Sequence, residues 1–189
     1  MMSHQFLSPT VLIQGEAESC GAYLLGIELL KPCRLAFGRH NQGIPIGLPA
    51  GRYLYIGSAH GQKGSSALPA RLLRHTCRSA AKPSHVVQPF LAQALQAAGM
   101  PARIPAQKTI RWHIDYLLDE PAAEIFAIFA HRTSRQIEQS LAETLAALPE
   151  TQILSKGLGA SDHPGGTHLL WVQADNNWWN QLPNILAQA

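Results

Sequence analysis

The chain has 189 residues, 46% of them apolar, with a formal net charge of +3. That is enough apolar material for one domain's core, or a domain with additions, and too much for a disordered chain. No apolar run approaches the roughly 18 residues that cross a bilayer, no basic, long-apolar leader opens the chain, and Cys20, Cys33 and Cys77 are too scattered for a disulfide framework; the reading is a cytoplasmic, monomeric domain with reduced thiols.

Residues 1–19 are polar and irregular and read as a loose lead-in. Gly21 to Leu30 reads as the first strand, with Tyr23, Leu25, Ile27 and Leu29 on one face. Lys31-Pro32 breaks it, and Arg34 to Phe37 reads as a returning strand. Gly38 to Gly51 carries four Gly and two Pro and is expected as a loop or twisted ribbon. Tyr53 to Ala59 is the third strand, with Tyr53, Tyr55 and Gly57 on one face. Three antiparallel strands joined by short turns form a minimal stable sheet once helices cover a face, so the expected class is α+β, with additional strands and helices beyond.

A Gly-rich loop, His60 to Ser66, leads into a basic helix that Ser65 or Ser66 can cap, with Pro69 in its first turn. Arg71, Arg74, His75 and Arg78 recur at i, i+3, i+4 and i+7 and share a face. That face is either a solvated polar surface or a site where an anion relieves the repulsion. A second helix is expected from Pro89 to Ala98, stopped by Gly99. Ile110 to Leu118 alternates as a strand, with Arg111, His113 and Asp115 on one face; Asp115 either orients His113 or neutralises Arg111. Glu124 to His131 is a further strand. Thr133 to Gln136 resembles a capping box that opens a helix reaching Leu148. Ile137, Leu141 and Leu145 form its apolar stripe, and Glu138 sits at the stripe's margin in the first turn, where the helix dipole alone also accounts for a carboxylate. Gly157 to Asp162 forms a tight turn before a last strand, His168 to Gln173, and the tail from Asp175 reads as a short helix. Trp171, Trp178 and Trp179 are expected to cover the core. Asp162, His163 and His168, without a Cys, fall short of a zinc site. The organisation is one domain over 20–174, with an inserted helix near 84–99 and a tail over 175–189.

Charge is distributed unevenly. Between Leu29 and Ile114 there are twelve Lys and Arg and no Asp or Glu, and from Asp115 onward there are nine acids and three bases. A surface with bases and no acids attracts polyanions; Lys63, Arg71, Arg74, Arg78 and Arg111 are the candidate contacts. A P-loop is excluded, because no Gly-Lys-Ser/Thr stands at the required offset from Gly57.

Gly21-Ala22-Tyr23 followed by Tyr55-Ile56-Gly57 resembles the paired signature of the GIY-YIG endonuclease superfamily. The order agrees as well: an Arg on the next helix, Arg71, then a Glu on a later one, Glu138. The chain is most similar to a branch of uncharacterised GIY-YIG-like domains also found fused to DNA-repair domains. That likeness is carried by Tyr55 to Ala59, Arg71 to His75, Trp112 to Leu117, Glu138 to Ala142 and Gly157 to Asp162. Ala22 stands in place of the Ile of the signature, and His163 and Gly165 where the branch often has Cys. The resemblance implies a small three-stranded antiparallel sheet flanked by helices and a metal-dependent endonuclease acting on nucleic acid, DNA first, in repair or processing. Tyr23 would help deprotonate the attacking water and Tyr55 would hold that network. Arg71 would bind the scissile phosphate, Glu138 would hold Mg²⁺ or Mn²⁺, and His75 and His113 would be second-rank candidates for proton transfer. The alternative is a module with this fold that binds nucleic acid without turnover.

Overall fold

The computed structural model describes residues 9–160 and 166–189. Along the described residues run β1 (Thr10–Gly15), β2 (Gly21–Leu29), β3 (Cys33–Leu35), β4 (Ile46–Leu48), β5 (Gly51–Ala59), α1 (Leu68–Thr76), α2 (Gln88–Ala97), α3 (His113–Leu118), β6 (Ala123–Arg132), α4 (Glu138–Ala146), β7 (Thr151–Gln152), β8 (Leu169–Val172) and α5 (Asn176–Gln188). The architecture is α+β. Six strands form one mixed sheet in the order β1-β6-β2-β5-β8-β7, and β3 pairs with β4 as a separate ribbon. All pairings in the main sheet are antiparallel except that of β1 with β6.

Alternation along β2 and β5 decides what covers each face. Tyr23, Leu25, Ile27, Tyr53 and Tyr55 point toward α1, α2 and α3, where Leu72, Leu91 and Ile114 complete one core. Leu24, Leu54 and Ile56 point the other way, toward Leu141 and Leu145 of α4 and Leu182 and Leu186 of α5. Both faces are therefore dry, which is why β2 is apolar almost throughout rather than at every second residue. Each fully buried Leu or Ile contributes about 1.5–3 kcal/mol.

Several expectations are corrected. Thr10–Gly15 is a strand within the stretch read as a loose lead-in, and it pairs in parallel with Ala127–Arg132. A parallel partner far along the chain leaves no turn signal beside the strand. The segment read as Arg34 to Phe37 does not join the main sheet; β2 pairs directly with β5 and β6, so the sheet has six strands rather than three. Ile110 to Leu118 is not a strand. Asp115 accepts from the backbone N–H groups of Arg111 and Trp112, each at 2.9 Å, and so caps α3, whose Ile114, Leu117 and Leu118 are buried at helical spacing. Helix α1 starts at Leu68 without a side-chain cap, Ser66 instead bonding the Lys63 carbonyl. Helix α4 spans only Glu138–Ala146, and Thr133 Oγ1 accepts from the Arg135 N–H rather than closing a capping box. The three cysteines are free thiols. No helix among the described residues is long and apolar enough to cross a membrane.

Candidate active site

Strand β8 covers β5 only from Arg52 to Tyr55. One more bond, from the Ile56 N–H to the His168 carbonyl at 2.9 Å, closes the pairing. Beyond it β5 continues through Gly57, Ser58 and Ala59 while β8 has already ended. A cleft of about 250 Å³ lies here, lined by Tyr55, Ser58, Arg71, Trp112, Glu138 and His168, with His60 at its margin. Its walls come from both sides of the sheet. Tyr55 and α1 belong to one core, and α4 packs on the other. Glu138 reaches the shared cleft because it lies in the first turn of α4, level with the end of β5.

Tyr23 stands opposite Gly57 in the β2–β5 register. Its ring lies across that glycine: a Cβ at position 57 would sit 2.5 Å from Tyr23 Cζ. The glycine of the second motif is thus the space that the tyrosine of the first occupies. Tyr23 is wholly buried, with its ring centroid 6.2 Å from that of Tyr55. Its hydroxyl is 2.8 Å from His75 Nε2. His75 Nδ1 has no hydrogen-bond partner and lies 3.9 Å from Asp115 Oδ1. A proton on Nδ1, facing that carboxylate, leaves Nε2 to accept from Tyr23.

Burial pushes the Tyr23 phenol up, and the Arg71 guanidinium only partly opposes it. Burial likewise raises Tyr55 well above the usual phenol value. Burial holds His75 well below the usual imidazole value, against the pull of Asp115, so the ring is neutral. For Asp115, burial would raise the carboxyl, but the Arg74 hydrogen bond and the Lys108 charge outweigh it and bring it to about 2. Burial also works on Glu138, but hydrogen bonds from His168 and Ser58 prevail and keep its carboxyl below the ordinary value.

The Glu138 carboxylate is engaged on both oxygens. Ser58 Oγ donates to Oε2, and His168 Nδ1 lies 3.1 Å from Oε1. Because Ser58 spends its only proton there, His60 Nε2, 3.0 Å away, is the donor to Ser58. Arg71 donates from Nη1 to the Ser58 carbonyl at 2.7 Å and lies 4.5 Å from the Trp112 ring centroid. Its Nε is buried without a partner.

A family model described as a domain of unknown function, DUF123, matches residues 22–189. The chain belongs to the DUF123 family. No curated protein and no solved structure matches it.

Of the residues singled out from sequence, this DUF123 domain brings Tyr23, Tyr55, Arg71, His75 and Glu138 together. Arg74 and Arg111 flank the site, stacked 4.2 and 5.3 Å from the Trp112 ring centroid. The others lie elsewhere. His113 faces His40 and the Gly159 N–H and does not line the cleft. Lys63 is exposed on the loop before α1. Arg78 lies past the end of α1, buried, bonded to Glu124 at 2.8 Å and to the carbonyls of Leu118 and Ala123; it is no surface contact. Asp162 and His163 lie outside the described residues. Asp115 forms its ion pairs with Arg74 and Lys108 rather than with Arg111.

The acid-free window of the sequence is likewise not acid-free in space. Arg74, Arg78, Lys82 and Lys108 are paired with Asp115, Glu124 and Asp119 from beyond it. Sequence reading missed Ser58, His60, Trp112, Asp115 and His168 as site residues. Ser58 carried a signal as the polar residue that ends an otherwise apolar strand face, and Trp112 and Asp115 lay within a stretch that carried the family likeness.

Proposed function

We propose that this DUF123 domain is a GIY-YIG-like endonuclease that hydrolyses phosphodiester bonds in nucleic acid, DNA first, with Mg²⁺ or Mn²⁺. The supporting observation is that Tyr55, Arg71 and Glu138, from three separate elements, line one cleft, with the buried Tyr23–His75 pair packed directly behind Tyr55. The adjoining pair β2–β5, with its Tyr23–Gly57 lock, would be the centre of the GIY-YIG-like sheet.

The residues fit a hard dication. Glu138 is ionised, its side chain is 19% exposed, and it faces an open cleft. Such ions take one or two carboxylates and fill the rest of their shell with water and phosphate oxygens. Among the described residues no group of three or more His, Cys, Asp or Glu is placed to hold a metal ion, so Glu138 would be the principal protein ligand. When bound, the dication would polarise the phosphate and make a bound water more acidic.

The chain's own groups supply the rest. Arg71 carries a fixed positive charge and an unpartnered Nε, and a phosphate oxygen satisfies both. As charge grows on the phosphate in the transition state, that interaction strengthens. The proton lost by the attacking water passes to the Tyr23 oxygen while the Tyr23 proton moves to His75 Nε2. The imidazolium so formed faces Asp115 through its Nδ1–H. The relay keeps a high-pKa phenol from having to ionise outright.

One observation favours the second reading, binding without turnover: both Glu138 oxygens already have partners, and Tyr23 is sealed from solvent. A titration of Mg²⁺ and Mn²⁺ with nicked, flapped, branched and plain DNA separates the two, with wild type beside Glu138→Ala. Metal-dependent cleavage that vanishes in the variant supports the nuclease. Metal-independent binding equal in both proteins, with no cleavage, supports the module.

A further inference from the structure

On the other side of the loop before α1 lies a larger cleft, about 960 Å³. The loop is a shared wall: Gly61 and Ser66 line the first cleft, while Gln62 to Ser65 line the second. Arg74 joins them, lining the second cleft while its guanidinium rests on Trp112, which lines the first.

The lining of the second cleft has two parts. Its cations are Lys63, Arg74, Arg103 and Arg132, and among the described residues no Asp or Glu lines it. Arg74 is ion-paired with Asp115. Arg132 is held by the carbonyls of Glu18 and Ala98, and the Glu18 carboxylate turns to Gln62 at 3.1 Å. Its floor is apolar, with Ala70 on α1, Ala98 after α2, and Met100, Pro101 and Ala102 in the coil that follows.

We propose that this second cleft binds an unpaired segment of the nucleic-acid substrate, continuous with the strand whose phosphate occupies the first. The inference rests on the nucleic-acid reading above. The cations match phosphates, and an apolar floor beside them matches the faces of bases. A paired duplex keeps those faces stacked inside and offers the protein phosphates and groove edges instead. Volume agrees: the cleft is of the size that holds small ligands, about 300–1,000 Å³, so it admits a nucleotide or two and not a double helix. Continuity through Arg74 and the shared loop places this segment next to the scissile phosphate. A strand that leaves the duplex at a flap or branch is the substrate that fills both clefts.

The test is a binding measurement in EDTA, so that cleavage is not the readout. Fluorescence anisotropy compares a blunt duplex, the same duplex with a single-stranded tail, and a free single strand. The expected result is tighter binding of the tailed duplex than of the blunt one. Arg103→Glu, an exposed coil position, should weaken tailed-duplex binding about tenfold and lower its salt slope by about 0.7, with the blunt duplex nearly unchanged. Ala70→Trp, which fills the floor without altering charge, should erase the preference for the tail. Arg34→Glu, on the β3–β4 ribbon, serves as the charge control. Equal affinity for blunt and tailed duplexes overturns the proposal. So does an equal loss on both from Arg103→Glu, or a loss from Arg34→Glu as large as that from Arg103→Glu. Polyglutamate competing as well as the single strand overturns it too, by showing an indiscriminate anion site. Failure to bind any of the oligonucleotides at low salt removes the nucleic-acid reading itself.

Discussion

The Ser58 hydroxyl hydrogen-bonds the Glu138 carboxylate, and through that contact the end of β5 meets the first turn of α4, which packs on the face away from Tyr23 and Tyr55. A carboxylate on α4 would ordinarily be separated from Tyr23 and Arg71 by the thickness of the sheet. It is not, because β8 stops short and leaves the end of β5 uncovered. Under the nuclease reading, Ser58 positions the metal-holding group. Ser58→Ala should therefore raise the Mg²⁺ concentration needed for half-maximal cleavage by about 10- to 100-fold, as loss of a supporting partner does. Glu138→Gln should abolish the metal response. An unchanged Mg²⁺ curve in both variants would remove Glu138 from the site.

Arg71→Ala should lower kcat by about 10²-fold or more with a smaller effect on KM, since the interaction grows in the transition state. Arg71→Lys should recover little, because a single ammonium cannot both bond the Ser58 carbonyl and fork onto phosphate. Steady-state rates on the preferred substrate decide this. Full activity in Arg71→Lys would reduce the residue to a diffuse charge.

Gly57→Ala should destabilise the fold by about 1–3 kcal/mol, the usual effect of overpacking, because its Cβ would press on the Tyr23 ring. In a Tyr23→Ala background the same change should be much milder. A double-mutant cycle read by urea unfolding measures the coupling. Strict additivity would mean that the ring and the glycine do not share the space.

Arg78→Ala and Arg111→Ala should separate two arginines that look alike in sequence. Arg78 is buried against Glu124, and breaking such a pair costs about 3–5 kcal/mol. It should lower thermal stability, with DNA affinity per folded molecule retained. Arg111 is exposed beside Trp112, so its loss should weaken binding and leave the melting temperature close to wild type.

Stability should fall on acidification in two steps. His75 is held neutral by burial. The unfolded chain therefore takes up a proton below the ordinary value of 6.5 that the folded chain does not, and stability declines as pH drops through that point. Asp115 behaves as a depressed carboxyl, lowered from 3.8 to about 2. Its contribution, about 2 kcal/mol, is full above the unfolded value and disappears as pH falls through the folded one. Urea unfolding from neutral pH to pH 2 should show the His75 limb shrinking in His75→Asn and the acid limb in Asp115→Asn. A wild-type profile flat from pH 7 to pH 4 would contradict the first limb.

Sequence carried the strands β2, β5 and β6 because each is a local, largely apolar run bounded by turn residues. It carried the five converging residues through a spaced motif. It could not carry the rest for identifiable reasons. The Ile110 to Tyr116 alternation matches a strand, and the helix shows only in the Asp115 cap and in Leu117, which breaks the alternation and pairs with Ile114 and Leu118 at helical spacing. Arg78 falls at the right helical offset, but α1 ends two residues earlier. His168 and Ser58 act through Glu138, and nothing in their own neighbourhoods records a partner so far along the chain. The acid-free window misled in the same way, since its counter-charges arrive from the other half of the fold.

Strand β1 lies wholly before residue 22, where the family match begins. It shields one side of β6 along Ala127–Arg132. Trimming the chain to the matched portion would bare a long row of amide and carbonyl groups on an otherwise finished sheet, an invitation to stick to neighbouring molecules. Anyone preparing this domain for crystals or assays should keep the first two dozen residues attached.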